Sequence, residues 1–254
     1  MNGVECDVTF ISESRMSKLE FRKEVPVPRV DLDALRRTPA YPFVEAAHYL
    51  RLPKSTLRAW FLGQTGFRPL IRLDGTPTEG LSFINLVEAH VLAAIRRVHR
   101  VPLPKVRKSL SYVATHLKLE RPLAKVEFQT DGVDLFVDHL GDLLNVTKEG
   151  QIEMQALMHA HLRRIERDPL GVPIKLYPFT RKDAPLEAIA PRPVEIDPRI
   201  AFGRPVLAGR GVPTAILADR FKAGDTLSDL ATDYDASTEA IEEALRCEFD
   251  RQAA

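Results

Sequence analysis

Apolar residues recur at helical spacing along most of the chain, and two short helices are predicted close together between residues 41 and 63. Five positions share one helical face, because three or four residues separate them: Phe43, Val44, Ala46, Ala47 and Leu50. The Leu52-Pro53 step ends this run, since the residue before a proline is disfavoured in the helical region. A second helix begins there, with Leu57, Trp60 and Phe61 on its inner side. The pattern predicts two helices joined by a tight turn.

This helix pair has two interpretations, which its own residues leave open. One is a helix-turn-helix, in which the second helix enters a DNA major groove and Lys54, Ser55 and Arg58 lie outward at its N-terminal end. The other is an ordinary hairpin of two helices in an α-helical core. A DNA-binding function therefore needs support from the rest of the chain.

After this pair the sequence predicts a short two-stranded wing. Residues 69–73 are of β type, and the Asp74-Gly75 dipeptide is a strong turn signal. Arg68 and Arg72 then lie on the wing, where their side chains can reach phosphates or a minor groove. The wing is expected to add two basic side chains to a DNA contact.

Helical periodicity returns in residues 82–117 and again in residues 151–164. Ser82 is a candidate N-cap for a long helix, and the apolar stripe behind it has helical spacing. That stripe consists of Ile84, Val87, Val91, Ile95 and Val98. The VPLPK break separates this helix from a second amphipathic one, and the two are expected to form core or a dimer contact. Between the helical stretches, VEFQTDGVDLFV predicts two short strands around Asp131-Gly132.

A proline-rich linker and a small helical domain are predicted at the end of the chain. Residues 168–193 contain six prolines and no helical period, and PIKLYPF can pair there as an edge strand. Glycines and prolines alternate in residues 194–213, which form a turn-rich entry. A helix is then predicted from Thr214 to Ala223, where Gly224 stops it, and another from a cap at Thr226 or Ser228.

A shift of 184 residues aligns the last helices with the first helix pair. The matching structural positions are Phe43 with Leu227, Ala47 with Ala231, Leu50 with Tyr234 and Leu57 with Ile241. Ser237 becomes the N-cap of the later second helix, and Thr238 and Glu242 take the outward places of Lys54 and Arg58. Because carboxylates repel phosphate, we expect the first pair to contact DNA and the second to bind protein. The alternative is that three-helix units share this spacing widely.

The composition fits a cytoplasmic globular protein whose charge is unevenly distributed. The hydrophobic fraction is 44% and the charged fraction 28%, and we expect neither a membrane span nor export. The net charge of +1 conceals a contrast, since residues 35–125 hold sixteen Lys and Arg against five Asp and Glu, whereas residues 215–254 hold four against ten. A basic body suits a phosphate backbone, and an acidic tail suits a basic partner or solubility.

No constellation of residues predicts catalysis, a metal site or a cofactor. His159 and His161 are two residues apart and fall on different helix faces, unlike a helical zinc pair. The glycine-rich GRP and GRG stretches match neither a phosphate-binding loop nor a dinucleotide fingerprint. Four aspartates suggest a metal-dependent nuclease but fall in the predicted hairpin and the turn after it: Asp131, Asp134, Asp138 and Asp142. We therefore expect a protein that is not an enzyme.

A family resemblance rests on GFRPLIRLDG, on LSFINLVEAHVLAAIRRVHRVPLPKVRKSL and, more specifically, on IDPRIAFGRPVLAGRGVPTAIL. The chain resembles VapB-type antitoxins of prokaryotic type II toxin–antitoxin modules. Its first part is similar to a MerR-like helix-turn-helix domain and its last part to domain of unknown function family 433. The resemblance implies a homodimer that binds the toxin of its own operon, a PIN-like ribonuclease, and represses that operon.

The predicted fold is mainly α with small β elements, comprising an N-terminal winged or MerR-like helix-turn-helix domain and a small C-terminal three-helix domain. We expect a flexible arm over residues 1–38, the helix-turn-helix domain with its helical extension and hairpin over 39–167, the linker over 168–193 and the helical domain over 194–254. The candidate DNA contacts are Arg51, Lys54, Ser55, Thr56, Arg58, Arg68 and Arg72. The expected partners are operator DNA, the PIN-like toxin and a second copy of the chain, with no membrane. The alternative is a stand-alone MerR-like regulator whose C-terminal domain senses a ligand or a protein.

Overall fold

The computed structural model describes residues 31–97, 101–178 and 192–249, and helices dominate that part of the chain. The α-helices are α1 (Leu32–Arg37), α2 (Phe43–Tyr49), α3 (Lys54–Leu62), α4 (Phe83–Arg97), α5 (Leu103–His116), α6 (Val133–Leu144), α7 (Lys148–Leu162), α8 (Thr214–Ala223), α9 (Leu227–Asp233) and α10 (Thr238–Phe249). The strands are β1 (Ile165–Arg167), β2 (Pro173–Leu176), β3 (Val194–Glu195), β4 (Val206–Leu207) and β5 (Val212–Pro213). The predicted mainly α fold with small β elements is confirmed.

Helix α4 lies at the centre of the larger hydrophobic core. Every side chain from residue 81 to residue 95 is buried, including the polar Ser82, Asn85, Glu88 and His90. A helix that buries all its faces needs neighbours on every side, and α4 packs against α1, α7 and the 3₁₀ turn at Pro122–Ala124. Ser82 caps α4 as predicted, because its hydroxyl accepts a hydrogen bond from the Asn85 backbone N–H over 3.0 Å.

The predicted helix pair is confirmed as α2 and α3. Leu57, Trp60 and Phe61 are buried on the inner side of α3, and Pro53 stands at its N-terminus. The expectation that Val44 faces inward is wrong, since its side chain is 53% exposed. At roughly 100° per residue, Val44 lies about a quarter-turn beyond Phe43 and so outside the arc that meets α3.

The predicted flexible arm is wrong at its C-terminal end. Residues 1–30 lie outside the described part of the chain, but Leu32–Arg37 forms α1. The helix is held by a tertiary contact, because Arg36 pairs with Asp168 at 3.3 Å. Thr38 closes its last turn by donating its backbone N–H to the Ala34 carbonyl over 2.8 Å. Short-range sequence patterns do not predict α1, because this helix depends on a residue that is distant along the chain.

The internal repeat is confirmed in the backbone. Helices α2 and α9 begin and end at residues that differ by 184, and α3 and α10 begin with the same difference. The turn between the helices is equivalent too, since Arg51 has φ of 52° and Asp235 has φ of 47°. Each turn closes with a backbone hydrogen bond of 2.9 Å, from Leu52 to Ala47 in the first copy and from residue 236 to residue 231 in the second. Both copies are therefore pairs of helices with one turn geometry, and the helix-turn-helix function of the first pair stays a prediction.

The predicted hairpin around Asp131-Gly132 is wrong, because this stretch is helical. Phe128–Gly132 forms one turn of π-helix that leads directly into α6. Gly132 has φ of −74° and ψ of −27°, an ordinary right-handed helical conformation, so the dipeptide does not turn the chain. The helical period explains the outcome, since the buried side chains fall three or four residues apart: Val133, Phe136, Val137 and Leu140.

The predicted two-stranded wing is also wrong, and an irregular loop joins α3 to α4. Its only strand-like pairings among the described residues are isolated bridges, Gln64 with Phe67 and Tyr41 with Leu81. Asp74 does not form a hairpin turn, because its backbone N–H donates to Asn85 Oδ1 over 3.0 Å and its carboxylate accepts from the Ser82 hydroxyl. Side-chain hydrogen bonds to α4 take the place of strand pairing.

The C-terminal unit has its own core around three helices and a small sheet. Strands β3, β4 and β5 are antiparallel, and α8, α9 and α10 pack beside them. Thr226 caps α9 through a reciprocal pair of bonds with Asp229, and Gly224 stops α8 with φ of 115°. Leu176 bridges Ile196 and so connects the β1-β2 sheet to this unit. None of the described helices has both the length and the apolar character that a bilayer crossing demands.

Candidate nucleic-acid interface

The outer face of α3 brings together four of the predicted DNA contacts. Lys54, Ser55 and Arg58 are exposed, and Thr56 is half-buried at the edge of the same face. They are placed by the completely buried Leu57 and Trp60 on the opposite side of α3. Arg58 is four residues from Lys54 and three from Ser55, so the Arg58 side chain leaves the helix beside both of the others.

The N-terminal end of α3 is electrostatically suited to an anion. Pro53 occupies the N-cap without a side-chain cap, and the first turn contains no acidic residue. The first backbone N–H groups of a helix have no partner within it, and the helix dipole makes this end positive. Arg58 lies one turn further on, with its guanidinium 5.3 Å from the centre of the Phe43 ring. That contact holds the charged group over the surface of the helix pair.

Arg51 lies in the turn that joins α2 to α3. It is half-buried and has a left-handed backbone conformation with φ of 52°. Its backbone N–H donates to the His48 carbonyl over 3.0 Å, which closes the turn. The backbone of Arg51 therefore stabilises the turn, and its side chain stays a predicted DNA contact.

The loop after α3 holds Arg68 and Arg72 exposed on a fixed backbone. Arg107 on α5 donates to the carbonyl groups of Arg68 and Pro69, the latter over 2.7 Å. Leu70 donates its N–H to the Trp60 carbonyl, also over 2.7 Å, which ties the loop to α3. The predicted wing residues thus lie on a loop that is attached to both α3 and α5.

A partly buried network around Arg121 fixes the far end of this loop. Its guanidinium pairs with the carboxylates of Glu88 and Asp74, with Arg121 Nε 3.1 Å from Glu88 Oε1. Asn85 Nδ2 donates to Glu88 over 3.1 Å and to the Arg72 carbonyl over 2.9 Å. Burial raises the pKa of Glu88, while hydrogen bonds from Arg121 and Asn85 oppose that rise. The network links the position of Arg72 to the central helix α4.

The C-terminal unit contacts the helix pair through Tyr41 and α2. His48 Nε2 forms a hydrogen bond with the Cys247 carbonyl of α10. Gly203 lies so close to Tyr41 that a Cβ atom there would come within 2.3 Å of the Tyr41 hydroxyl. That hydroxyl is buried, has no hydrogen-bond partner among the described residues, and has a pKa that burial raises strongly. The C-terminal unit thus contacts Tyr41, just before α2, and His48 on α2, whereas the predicted DNA residues are on α3 and the loop after it.

Sequence patterns did not single out Phe202. It lies in a short left-handed turn at Ala201–Gly203, with φ of 57°, and its side chain is 92% exposed. The sequence shows only an apolar residue within a glycine- and proline-rich stretch, and exposure of such a residue is decided by the tertiary packing around it. In the described chain no group of three or more His, Cys, Asp or Glu side chains is arranged to hold a metal ion.

The C-terminal unit is similar to a known protein family. Residues 194–246 match the family model described as "Protein of unknown function (DUF433)". The match begins at β3 and includes all of α8 and α9 and most of α10. The predicted resemblance of this part of the chain is confirmed.

About four fifths of the chain is similar to proteins of Mycobacterium tuberculosis. The chain is 29% identical over 233 residues to the protein named "Putative antitoxin VapB45", and the match covers 82% of this chain and 92% of that protein. It is 26% identical over 216 residues to "Uncharacterized protein Rv2308", with 81% and 88% covered. The crystal structure of Rv2018 has a TM-score of 0.62 at 25% identity and covers 82% of this chain and 97% of its own. The predicted resemblance to VapB-type antitoxins is confirmed, whereas the MerR-like character of the N-terminal part stays a prediction.

Proposed function

We propose that the chain is a non-enzymatic antitoxin that binds and neutralises a cognate PIN-like ribonuclease toxin and represses its own operon by DNA binding. The similarity to the protein named as an antitoxin supports the first part, because it extends over 92% of that protein. The proposed DNA binding is supported by the exposed basic face of α3, whose position is fixed because the opposite side of the helix is buried in the core. Both activities are proposed for one cytoplasmic chain.

The dimensions and charge of α3 suit a major groove. An α-helix is about 10–12 Å across with its side chains, which fits a groove about 12 Å wide. The nine residues of α3 span about 13 Å along the helix axis. Lys54 and Arg58 can contact phosphates or base edges, and Ser55 and Thr56 can donate hydrogen bonds to either. Arg68 and Arg72 extend the basic surface along the adjoining loop. A homodimer would place two such helices on half-sites about one helical turn of DNA apart.

The test of DNA binding is the double substitution Lys54→Ala with Arg58→Ala. We expect weaker operator binding in a gel-shift titration and a salt dependence shallower by about one unit for each phosphate that no longer meets a cation. The repeat supplies a matched control, because Thr238→Ala with Glu242→Ala changes the equivalent positions of the second copy. The control is expected to keep full affinity. Unchanged operator affinity of the folded Lys54/Arg58 variant would refute the assignment.

The test of the antitoxin role is co-expression with the product of the neighbouring reading frame. We expect a small nuclease with an acidic site, a stable complex on purification, and loss of its ribonuclease activity in that complex. A folded chain that neither binds nor inhibits the neighbouring gene product contradicts the antitoxin role. The operator titration is independent of this result.

A stand-alone regulator that senses a ligand is the second candidate, and a cleft in the C-terminal unit favours it. The cleft has a volume of about 660 Å³ and lies between the β4–β5 turn and the start of α10. Its polar lining includes Arg192, Arg210, Asp235 and Ser237. A small molecule that changes operator affinity, together with no complex on co-expression, would support this candidate over the antitoxin.

A further inference from the structure

A cavity, called here the Arg107 cavity, lies between the loop after α3 and helix α5. One wall is formed by loop residues 70–72, and another by α5, where Arg107, Leu110 and Ala114 line the space. Its volume is about 210 Å³, roughly that of seven molecules of liquid water. A space of this size suits a ligand no larger than a small metabolite.

Part of the lining of the Arg107 cavity is apolar and belongs to the hydrophobic core. Ile71, Leu110 and Leu123 line it with side chains that are 4%, 8% and 3% exposed. Ligand sites are typically lined by apolar side chains, with a few polar groups that fix the orientation of the ligand. The lining therefore favours a ligand with an apolar body, and the polar groups beside it determine which charge that ligand carries.

Two guanidinium groups at the Arg107 cavity have no carboxylate partner in the part of the chain that the structure describes. The side chain of Arg107 donates to the backbone carbonyls of Arg68 and Pro69 instead. Arg72 is exposed, and its side chain forms no ion pair with any described residue. A guanidinium group can hold a carboxylate through two parallel hydrogen bonds. The polar side of the lining therefore favours a carboxylate.

The other charged groups at the Arg107 cavity leave this preference in place. Arg121 already has two carboxylate partners, Glu88 and Asp74, and the three form one partly buried network. Glu120 also lines the cavity, but its side chain is exposed to solvent, where water weakens its repulsion of an anion. The charged groups that remain available to a ligand are therefore cationic.

A carboxylate bound at Arg107 would compete with the loop for the same N–H groups. Arg107 Nη1 donates to the Pro69 carbonyl over 2.7 Å, and Nη2 donates to the Arg68 carbonyl. A hydrogen bond between two charged groups is stronger than one to a neutral carbonyl. A ligand that takes over these donors releases the backbone that carries Arg68 and Arg72. The predicted DNA contacts of the loop then lose their fixed positions.

We propose that the Arg107 cavity binds a small carboxylate with an apolar body, and that this ligand lowers the affinity of the chain for its operator. The effect on DNA rests on the DNA binding proposed above, whereas ligand binding itself does not. The site is separate from the cleft in the C-terminal unit. Because coupling between two sites is reciprocal, bound operator DNA weakens ligand binding by the same factor.

The first experiment measures ligand binding by the full-length chain without DNA. The probe is sodium benzoate, which joins one carboxylate to one apolar ring, and benzamide is its uncharged control. A ligand of this size is expected to bind with a Kd of roughly 1 mM, measured by titration calorimetry. Arg107→Gln removes the guanidinium group and is expected to weaken benzoate binding at least ~10-fold. Benzamide is expected to show no measurable binding.

The second experiment measures affinity for a duplex taken from upstream of the chain's own reading frame. About 10 mM benzoate, compared with equal sodium chloride, is expected to weaken binding at least ~5-fold, the lower end of typical allosteric coupling. Ala114→Met fills the Arg107 cavity and should remove this effect without changing the affinity measured in sodium chloride. Ala240→Met is the matched control, because Ala240 lines the C-terminal cleft, and it should respond like the wild type. If Ala114→Met does not fold, the loss of the benzoate effect is sought in Arg107→Gln.

Each outcome decides one question. Benzoate binding that requires Arg107, with an operator response that Ala114→Met loses and Ala240→Met keeps, supports the proposal. Absence of benzoate binding, or equal binding by Arg107→Gln, overturns it and leaves the proposed DNA binding standing. Loss of the response in Ala240→Met alone places the ligand in the C-terminal cleft, and unchanged operator affinity with benzoate bound removes the coupling, so either result overturns it too. A wild-type chain that does not bind the duplex refutes the proposed DNA binding and the coupling with it.

Discussion

Replacing Arg121 by methionine removes the cation from the network that positions the loop after α3. Methionine keeps much of the side-chain volume, so the change acts mainly through charge. The side chains of Glu88 and Asp74 are only 4% and 11% exposed, and both would lose their cationic partner. An unpaired buried carboxylate is strongly destabilising. We therefore expect Arg121→Met to lower the free energy of unfolding.

The size of the effect follows from the burial of the pair. Breaking a buried ion pair costs about 3–5 kcal/mol. Because Arg121 itself is 13% exposed and water reaches part of the site, the lower limit of about 3 kcal/mol is the appropriate value. For a domain of this size that corresponds to a fall in melting temperature of about 6–12 °C. The loss is a large fraction of the total stability expected of such a protein.

The loss of unfolding free energy in Arg121→Met should also depend on pH, and the ionisation of Glu88 determines whether the loss grows or shrinks as the pH rises. Burial already raises the pKa of Glu88, and removing the Arg121 hydrogen bonds and charge raises it further. A carboxyl group whose folded pKa lies above its unfolded value contributes stability at low pH and loses it as the pH rises through the folded pKa. The difference between wild type and Arg121→Met is therefore expected to be larger at about pH 8 than at about pH 5.

Urea denaturation followed by circular dichroism at these two pH values measures the differences. Adding Glu88→Gln to Arg121→Met should recover part of the lost stability, because the unpaired charge is then absent. A loss below about 1 kcal/mol at the higher pH would show that the network is an ordinary surface pair. A loss that grows toward the lower pH would refute the argument about Glu88.

Further predictions concern the backbone of the C-terminal unit. Thr226→Ala removes the cap of α9 and should cost about 1 kcal/mol in thermal unfolding, whereas an unchanged melt would show that the cap is dispensable. Gly203→Ala should cost at least about 2 kcal/mol, because it combines left-handed strain with a clash against Tyr41. Gly209→Ala is its control, since Gly209 has φ of 73° but no neighbour within 4 Å, and about 1 kcal/mol is expected. Equal losses for the two glycines would refute the close contact.

Elements whose signals are local were predictable from the sequence. The boundary between α2 and α3 follows from Pro53 and the spacing of apolar residues, both of which act within a few positions. The same is true of Ser82 and Thr226, whose hydroxyl groups bond to a backbone N–H three residues ahead. The exposed positions of Lys54 and Arg58 followed from the helical period in the same way.

Elements that depend on distant partners could not be predicted. Asp74 has the sequence of a turn, but its partner Arg121 lies 47 residues away and its other contacts are on α4. The Asp131-Gly132 dipeptide has the sequence of a hairpin, but the helical period becomes clear only once Leu140 is included. Phe202 is exposed beside Gly203, which packs against the distant Tyr41, and no short-range pattern records that contact.

The two left-handed turns, at Arg51 and Asp235, show that one scaffold in this chain tolerates opposite surface chemistry. The turn residue has a cationic side chain in one copy and an anionic side chain in the other, yet the two φ angles, 52° and 47°, differ by only a few degrees. The buried residues on each side, and not the residue at the turn, therefore specify the path of the backbone. The outer residues of one copy should be transplantable onto the other without refolding its core.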